Sequence, residues 1–231
     1  MIKADARFFI ATNWHVVTGR HPFTEELGKS AKIPESLFVH FRTENSDELT
    51  QVAVPLHDKN NQPLWIAHAD RKLPEQSNHA NLAIDLVLID VTQICPPNVT
   101  GHLIWRPDYQ IRLNPMEPVA IIGYPFGLFG RDAFPIWITG TVANDLAGEP
   151  QSKYFFVDAN TGTGNSGSLV IHRSSGAAFH KPGGYLHPNG SVSYFMGIYS
   201  GRIKAESNIG IVWHWELIQE LIQAKVRLAN D

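Results

Sequence analysis

The apolar residues of this chain come in runs of strand length, cut apart by Gly, Pro, Asn and Asp. Such punctuation admits little besides short extended segments joined by turns, and so predicts an all-β chain. Strands are expected at 7–12, 36–42, 50–56, 64–68 and 85–91, then at 118–123, 135–143, 154–158, 168–172, 193–200 and 209–213. Only the C-terminus reads as helical. There Trp215, Ile218, Leu221, Ile222 and Leu228 recur on one helical face, which predicts a structural helix packed on the second half of the chain.

Prolines divide these strands into two sets. The stretch from Pro96-Pro97 to Pro118 is proline-rich, and proline ends strands because it carries no ladder donor. Four regions follow: a first domain 1–95, a linker 96–117, a second domain 118–213 and a helix 214–231. Three segments read as surface insertions, at 18–35, 127–135 and 173–191, and no internal repeat is found.

The second strand set ends in Thr161-Gly162-Thr163-Gly164-Asn165-Ser166-Gly167-Ser168. A serine hydroxyl attacks a carbonyl only with a base in hydrogen-bond reach and a third group to orient that base. Two backbone N–H groups must also face the developing oxyanion. Glycines beside the serine permit the backbone conformations this needs, and Gly164 and Ser166 are the expected donors. The first set supplies the other parts. His15 follows a strand in Thr12-Asn13-Trp14-His15-Val16-Val17, and Asp85 opens Asp85-Leu86-Val87-Leu88-Ile89. Each segment alone has a plain structural reading: a core histidine, a strand opening, a Gly/Ser turn. Together, in the order His, Asp, Ser, they form the parts of an acyl-transfer site.

These segments resemble the chymotrypsin-like serine proteases, in particular the disulfide-free bacterial trypsin-like branch. Relatives of the high-temperature-requirement proteases carry similar His, Asp and G-N-S-G-G segments. The runs Val119 to Pro125, Gly197 to Gly201 and Ile209 to Val212 are similar to later strands of that family. The resemblance implies two six-stranded Greek-key β-barrels and a C-terminal α-helix. It implies a serine endopeptidase acting on protein or peptide substrates through His15, Asp85 and Ser166, with no cofactor. It places Asn160 at the base of the specificity pocket, with Ser200, Gly201, Arg202 and Gly210 as walls. A neutral Asn160 does not support a strong preference for Arg or Lys.

The chain departs from that pattern in three places. Only residues 1–6 precede the histidine strand, so either the first barrel lacks a strand or the chain is a trimmed domain, and an unpaired edge near 8–12 is the expected sign of a barrel that a partner completes. That expectation keeps open an activating partner, or further domains at the N-terminus, and a dormant binding module. Asn165 stands where proteases activated by N-terminal cleavage carry an acid, and Ser168 stands where the family has a second glycine. An esterase of the α/β-hydrolase type is disfavoured by the order of the triad.

Composition narrows the rest. Net charge is −3 without a basic run, so nucleic acid is not expected as a partner. No apolar run reaches membrane-spanning length. The start of the chain lacks a signal-peptide core, which gives a cytoplasmic expectation. Cys95 is the sole cysteine, which excludes an internal disulfide and favours a reducing or bacterial setting. Beside Pro96 it reads as a strand end rather than a nucleophile. The eleven histidines, including His180 and His187, show no zinc-ligand spacing, so no metal is expected.

Overall fold

The computed structural model describes residues 1–4, 6–28, 32–43, 49–71, 82–99, 113–145, 153–175, 179–181, 184–186 and 191–230. The chain divides into two compact units, Met1–Ile104 with Glu216–Asp231, and Trp105–Trp215.

In the first unit the strands are β1 (Ile2–Ala4), β2 (Arg7–Thr12), β3 (Ser36–Arg42), β4 (Leu49–Pro55), β5 (Trp65–Ala67) and β6 (Val87–Asp90), with helix α1 (Trp14–Thr18) after β2. They form an antiparallel sheet ordered β1-β2-β6-β5 and a separate β3-β4 hairpin. β6 is the element that its unbroken apolar run predicts, with Val87, Leu88 and Ile89 all buried. The sheet and the hairpin share one core: Trp14, Val17, Val54, Leu56, Val87, Ile89 and Val91, with Leu37 and Val39 packed against it. That sharing is why a two-stranded hairpin can persist here, since alone it would be marginal.

One expectation is corrected. A strand does precede the histidine strand: β1 pairs with β2 through Ile2↔Phe9, Lys3↔Phe8 and Ala4↔Arg7. β2 is therefore flanked by β1 and β6, and the unpaired edge expected at 8–12 is absent. Three residues are too few to show a period, but Ile2 buries its side chain and so fixes the pairing. Among the described residues the first unit thus has six strands, a four-stranded sheet and a hairpin around one core.

The second unit is a closed barrel. Its strands are β7 (Pro118–Gly123), β8 (Ile136–Val142), β9 (Tyr154–Ala159), β10 (Leu169–Ser175), β11 (Phe179–Lys181), β12 (Gly184–Leu186), β13 (Ser191–Arg202) and β14 (Ile209–His214). The closed order is β10-β13-β14-β9-β8-β7, and β11-β12 is a small hairpin within the expected insertion 173–191. Val119, Ile121, Phe155, Val157, Val170, Tyr194, Tyr199 and Val212 are part of its core. Most of the expected linker, and His187, lie outside the described residues.

The closing helix α2 (Trp215–Asn230) buries Leu217, Ile218 and Leu221. From Glu216 onward it groups with the first unit, not the second as its place in the chain suggests. The His68 Nε2–H donates to Glu220 Oε2 at 2.6 Å, while Nδ1 accepts from the Asp70 N–H at 3.1 Å. No described helix is long and apolar enough to cross a membrane.

Candidate active site

Local sequence explains how His15 and Asp85 meet. β2 ends at Thr12, Asn13 turns the chain, and α1 carries His15. β2 pairs with β6 through Thr12↔Val87, which brings the residues beyond both strand ends together. Asn13 is fully buried, and its Nδ2 donates to the Asp85 carbonyl at 2.8 Å. The His15 backbone N–H donates to Asp85 Oδ1 at 2.9 Å, and His15 Nδ1 lies 2.6 Å from Asp85 Oδ2.

That geometry selects a tautomer. A carboxylate only accepts, so the short contact places a proton on Nδ1, and in the neutral ring Nε2 is then the acceptor. The Asp85 side chain has no exposure, while that of His15 retains 23%. The acid is thus sheltered and the imidazole remains reachable.

Ser166 lies in the second unit, on the loop entering β10. Its Oγ donates to the Ser200 carbonyl at 2.9 Å. Ser200 is skipped in the β13–β14 register, which passes from Tyr199↔Val212 to Gly201↔Ile211. Such a bulge re-aims the backbone locally. The loop has two glycines at positive φ, Gly164 at 91° and Gly167 at 83°.

Its amides alternate. The Asn165 N–H donates to Gly162, and the Gly167 N–H to Tyr199. Among the described residues neither Gly164 nor Ser166 gives its N–H to a backbone acceptor. The Thr163 carbonyl is held by the Phe126 N–H at 2.6 Å, so the 163–164 peptide is fixed with its oxygen toward residue 126. Asn165 is fully buried and ties the loop to itself through Nδ2 to the Gly162 carbonyl. Ser168, also buried, fits because residue 123 is glycine. A Cβ there would stand 1.9 Å from Ser168 Oγ.

A cavity of about 300 Å3 adjoins Ser166, lined by residues that include Thr161, Gly164, Tyr199, Gly201 and Arg202. Of the residues expected to form the pocket, Gly201 and Arg202 line it. Asn160 is exposed and does not line it. Neither do Ser200 and Gly210. Gly210 lies behind Tyr199, whose ring would be 2.4 Å from a Cβ there. The Tyr199 hydroxyl and Thr161 Oγ1 share a 2.6 Å hydrogen bond. Burial pushes the Tyr199 hydroxyl above its ordinary pKa, against the smaller effects of the Thr161 bond and Arg202. The resemblance places the segment Gly197 to Gly201 beside the substrate cleft, and the structure adds that Tyr199 itself lines this cavity.

Cys95 is half-buried, and burial raises its thiol pKa, which disfavours the thiolate. Near the serine loop a further feature stands out. Phe126, Leu128, Phe129, Phe134 and Trp137 are all at least half exposed, Phe126 at 70%.

A family profile described as trypsin-like peptidase domain matches residues 1–178. No curated protein matches the chain. Among solved structures, a mutant inactive form of Rv3671c from M. tuberculosis H37Rv matches at 13% identity, covering 97% of this chain and 78% of its own, with a TM-score of 0.42. The active form of the Rv3671c protease matches at 10% identity, covering 96% and 91%, with a TM-score of 0.39. Both scores are low, and the family assignment rests on the profile match.

Proposed function

Because the chain belongs to the trypsin-like peptidase family, we propose that it is a serine endopeptidase working through His15, Asp85 and Ser166. The observation that carries this reading is the 2.6 Å contact of His15 Nδ1 with a fully buried Asp85 carboxylate. It orients the imidazole and, in the neutral ring, leaves Nε2 as the acceptor that a general base requires.

In the proposed reaction Ser166 Oγ attacks a peptide carbonyl and its proton passes to His15 Nε2. The imidazolium, stabilised by Asp85, returns that proton to the departing amine, leaving an acyl-enzyme that water hydrolyses. The Gly164 and Ser166 N–H groups are assigned to the oxyanion. Their lack of backbone acceptors, with the Thr163 carbonyl drawn aside, supports this. The cavity beside Ser166 is assigned to the substrate side chain preceding the scissile bond. Its lining holds no carboxylate, so a Lys or Arg there gains no ion pair, and the Tyr199–Thr161 pair suits an uncharged side chain.

The test is intact-mass labelling with a fluorophosphonate, comparing wild type with Ser166→Ala. A single adduct that disappears in the mutant is expected. Well-folded wild type that takes up no adduct would refute an activated Ser166 and favour a binding module.

A further inference from the structure

Arg71 belongs to no motif and stands outside the triad, yet its side chain is only 7% exposed. A buried guanidinium must be matched on its faces and its edges, and this one is. Its Cζ sits 3.6 Å from the centroid of the Trp14 ring. Nη1 donates to the Ile84 carbonyl at 2.6 Å. Nη2 donates to the Pro22 carbonyl at 3.1 Å and lies 3.5 Å from Glu25 Oε1.

Two of these partners are telling. Trp14 immediately precedes His15, and Ile84 immediately precedes Asp85. The other two, Pro22 and Glu25, belong to the turn that follows α1, which closes on itself through the Arg20↔Leu27 bridge. One planar cation therefore holds the residue before the base, the residue before its orienting acid, and the turn that follows α1.

We propose that Arg71 is a positioning residue for the His15–Asp85 pair, setting its tautomer and ring orientation through Trp14 and Ile84. The inference rests on the peptidase reading above, but the geometry it explains lies wholly within the first unit. Arginine suits the role as lysine does not. Its rigid fork donates along two directions while its face stacks on an indole, and a lysine ammonium can do only one of these at a time. A placement error of about 1 Å in a catalytic group costs on the order of 100-fold in rate.

The experiment compares wild type, Arg71→Met and Arg71→Lys in the full chain. Thermal unfolding checks the fold. Long-range 1H–15N correlation spectra of the His15 imidazole read which nitrogen carries the proton, and peptide hydrolysis gives kcat and KM. In wild type the neutral imidazole should carry its proton on Nδ1. Arg71→Met should show mixed tautomers and a kcat reduced about 10- to 100-fold at nearly unchanged KM, with Arg71→Lys between the two. A folded Arg71→Met with wild-type tautomer and kcat would overturn the proposal. Should Arg71→Met not fold, wild-type behaviour of Arg71→Lys would overturn it equally. If Ser166 takes up no fluorophosphonate, the peptidase reading fails, and the imidazole spectra still decide the role of Arg71.

Discussion

Replacing Asp85 by Asn tests the site at its most constrained atom pair. The carboxylate receives two donors from one residue, the His15 main-chain N–H at 2.9 Å and the ring Nδ1 at 2.6 Å. A carboxamide offers one acceptor and one donor. If its oxygen faced Nδ1, its NH2 would meet the His15 N–H, and the unmet buried donors would cost about 1–3 kcal/mol. If the oxygen faced the main-chain N–H instead, the NH2 would face Nδ1. The ring escapes the conflict by moving its proton to Nε2, so the second arrangement wins. In the proposed mechanism the imidazole then cannot accept the Ser166 proton. The expected loss in kcat is about 10^4-fold, equivalent to about 5–6 kcal/mol of barrier. That size is carried over from trypsin itself, where the same exchange acts through the same tautomer change; the geometry here supplies its cause. Rates of fluorophosphonate uptake by wild type and Asp85→Asn measure it, with circular dichroism as the check on folding. A folded Asp85→Asn that labels Ser166 within tenfold of wild type would refute the reasoning.

Gly123→Ala should destabilise the second unit by about 1–3 kcal/mol, because its Cβ would stand 1.9 Å from Ser168 Oγ. The double variant Gly123→Ala/Ser168→Gly should recover most of that in chemical denaturation, and additive losses would show that the two side chains do not compete. His214 should make the protein acid-sensitive. Burial lowers its pKa from 6.5 to about 4, so as pH falls below 6.5 the unfolded chain takes up the proton first. The stabilisation is complete above that pH and is lost progressively down to about 4, by about 3 kcal/mol in all. His214→Gln should flatten this part of the stability–pH curve, and an unchanged slope in urea melts at pH 7, 6 and 5 would contradict the assignment.

What could be read from the sequence was what repeats or what chemistry restricts. β6 shows itself because Leu86 to Ile89 has no polar residue, and the proposed roles of His15, Asp85 and Ser166 are suggested by sequence because few residue types can act as base, acid and nucleophile. β1 was missed because its pairing is decided by one buried side chain, Ile2. The place of α2 was missed because the His68–Glu220 bond spans 152 positions. Tyr199 takes the space before Gly210, a matter of side-chain volume that no spacing encodes. Arg71 was invisible for the same reason, since its partners meet only after β2 and β6 pair.

At Phe126 the work is split between two parts of one residue. The main-chain N–H holds the Thr163 carbonyl, while the ring, 70% exposed, lies over Gly162, where a Cβ would stand 2.3 Å from it. Any amino acid other than proline supplies that amide, provided it tolerates the φ of 55° found there; asparagine and glycine do so readily. A change of side chain there would leave the hold on the Thr163 carbonyl to the main chain but uncover Gly162, so what this loop displays and how the Ser166 segment is covered are set by one residue.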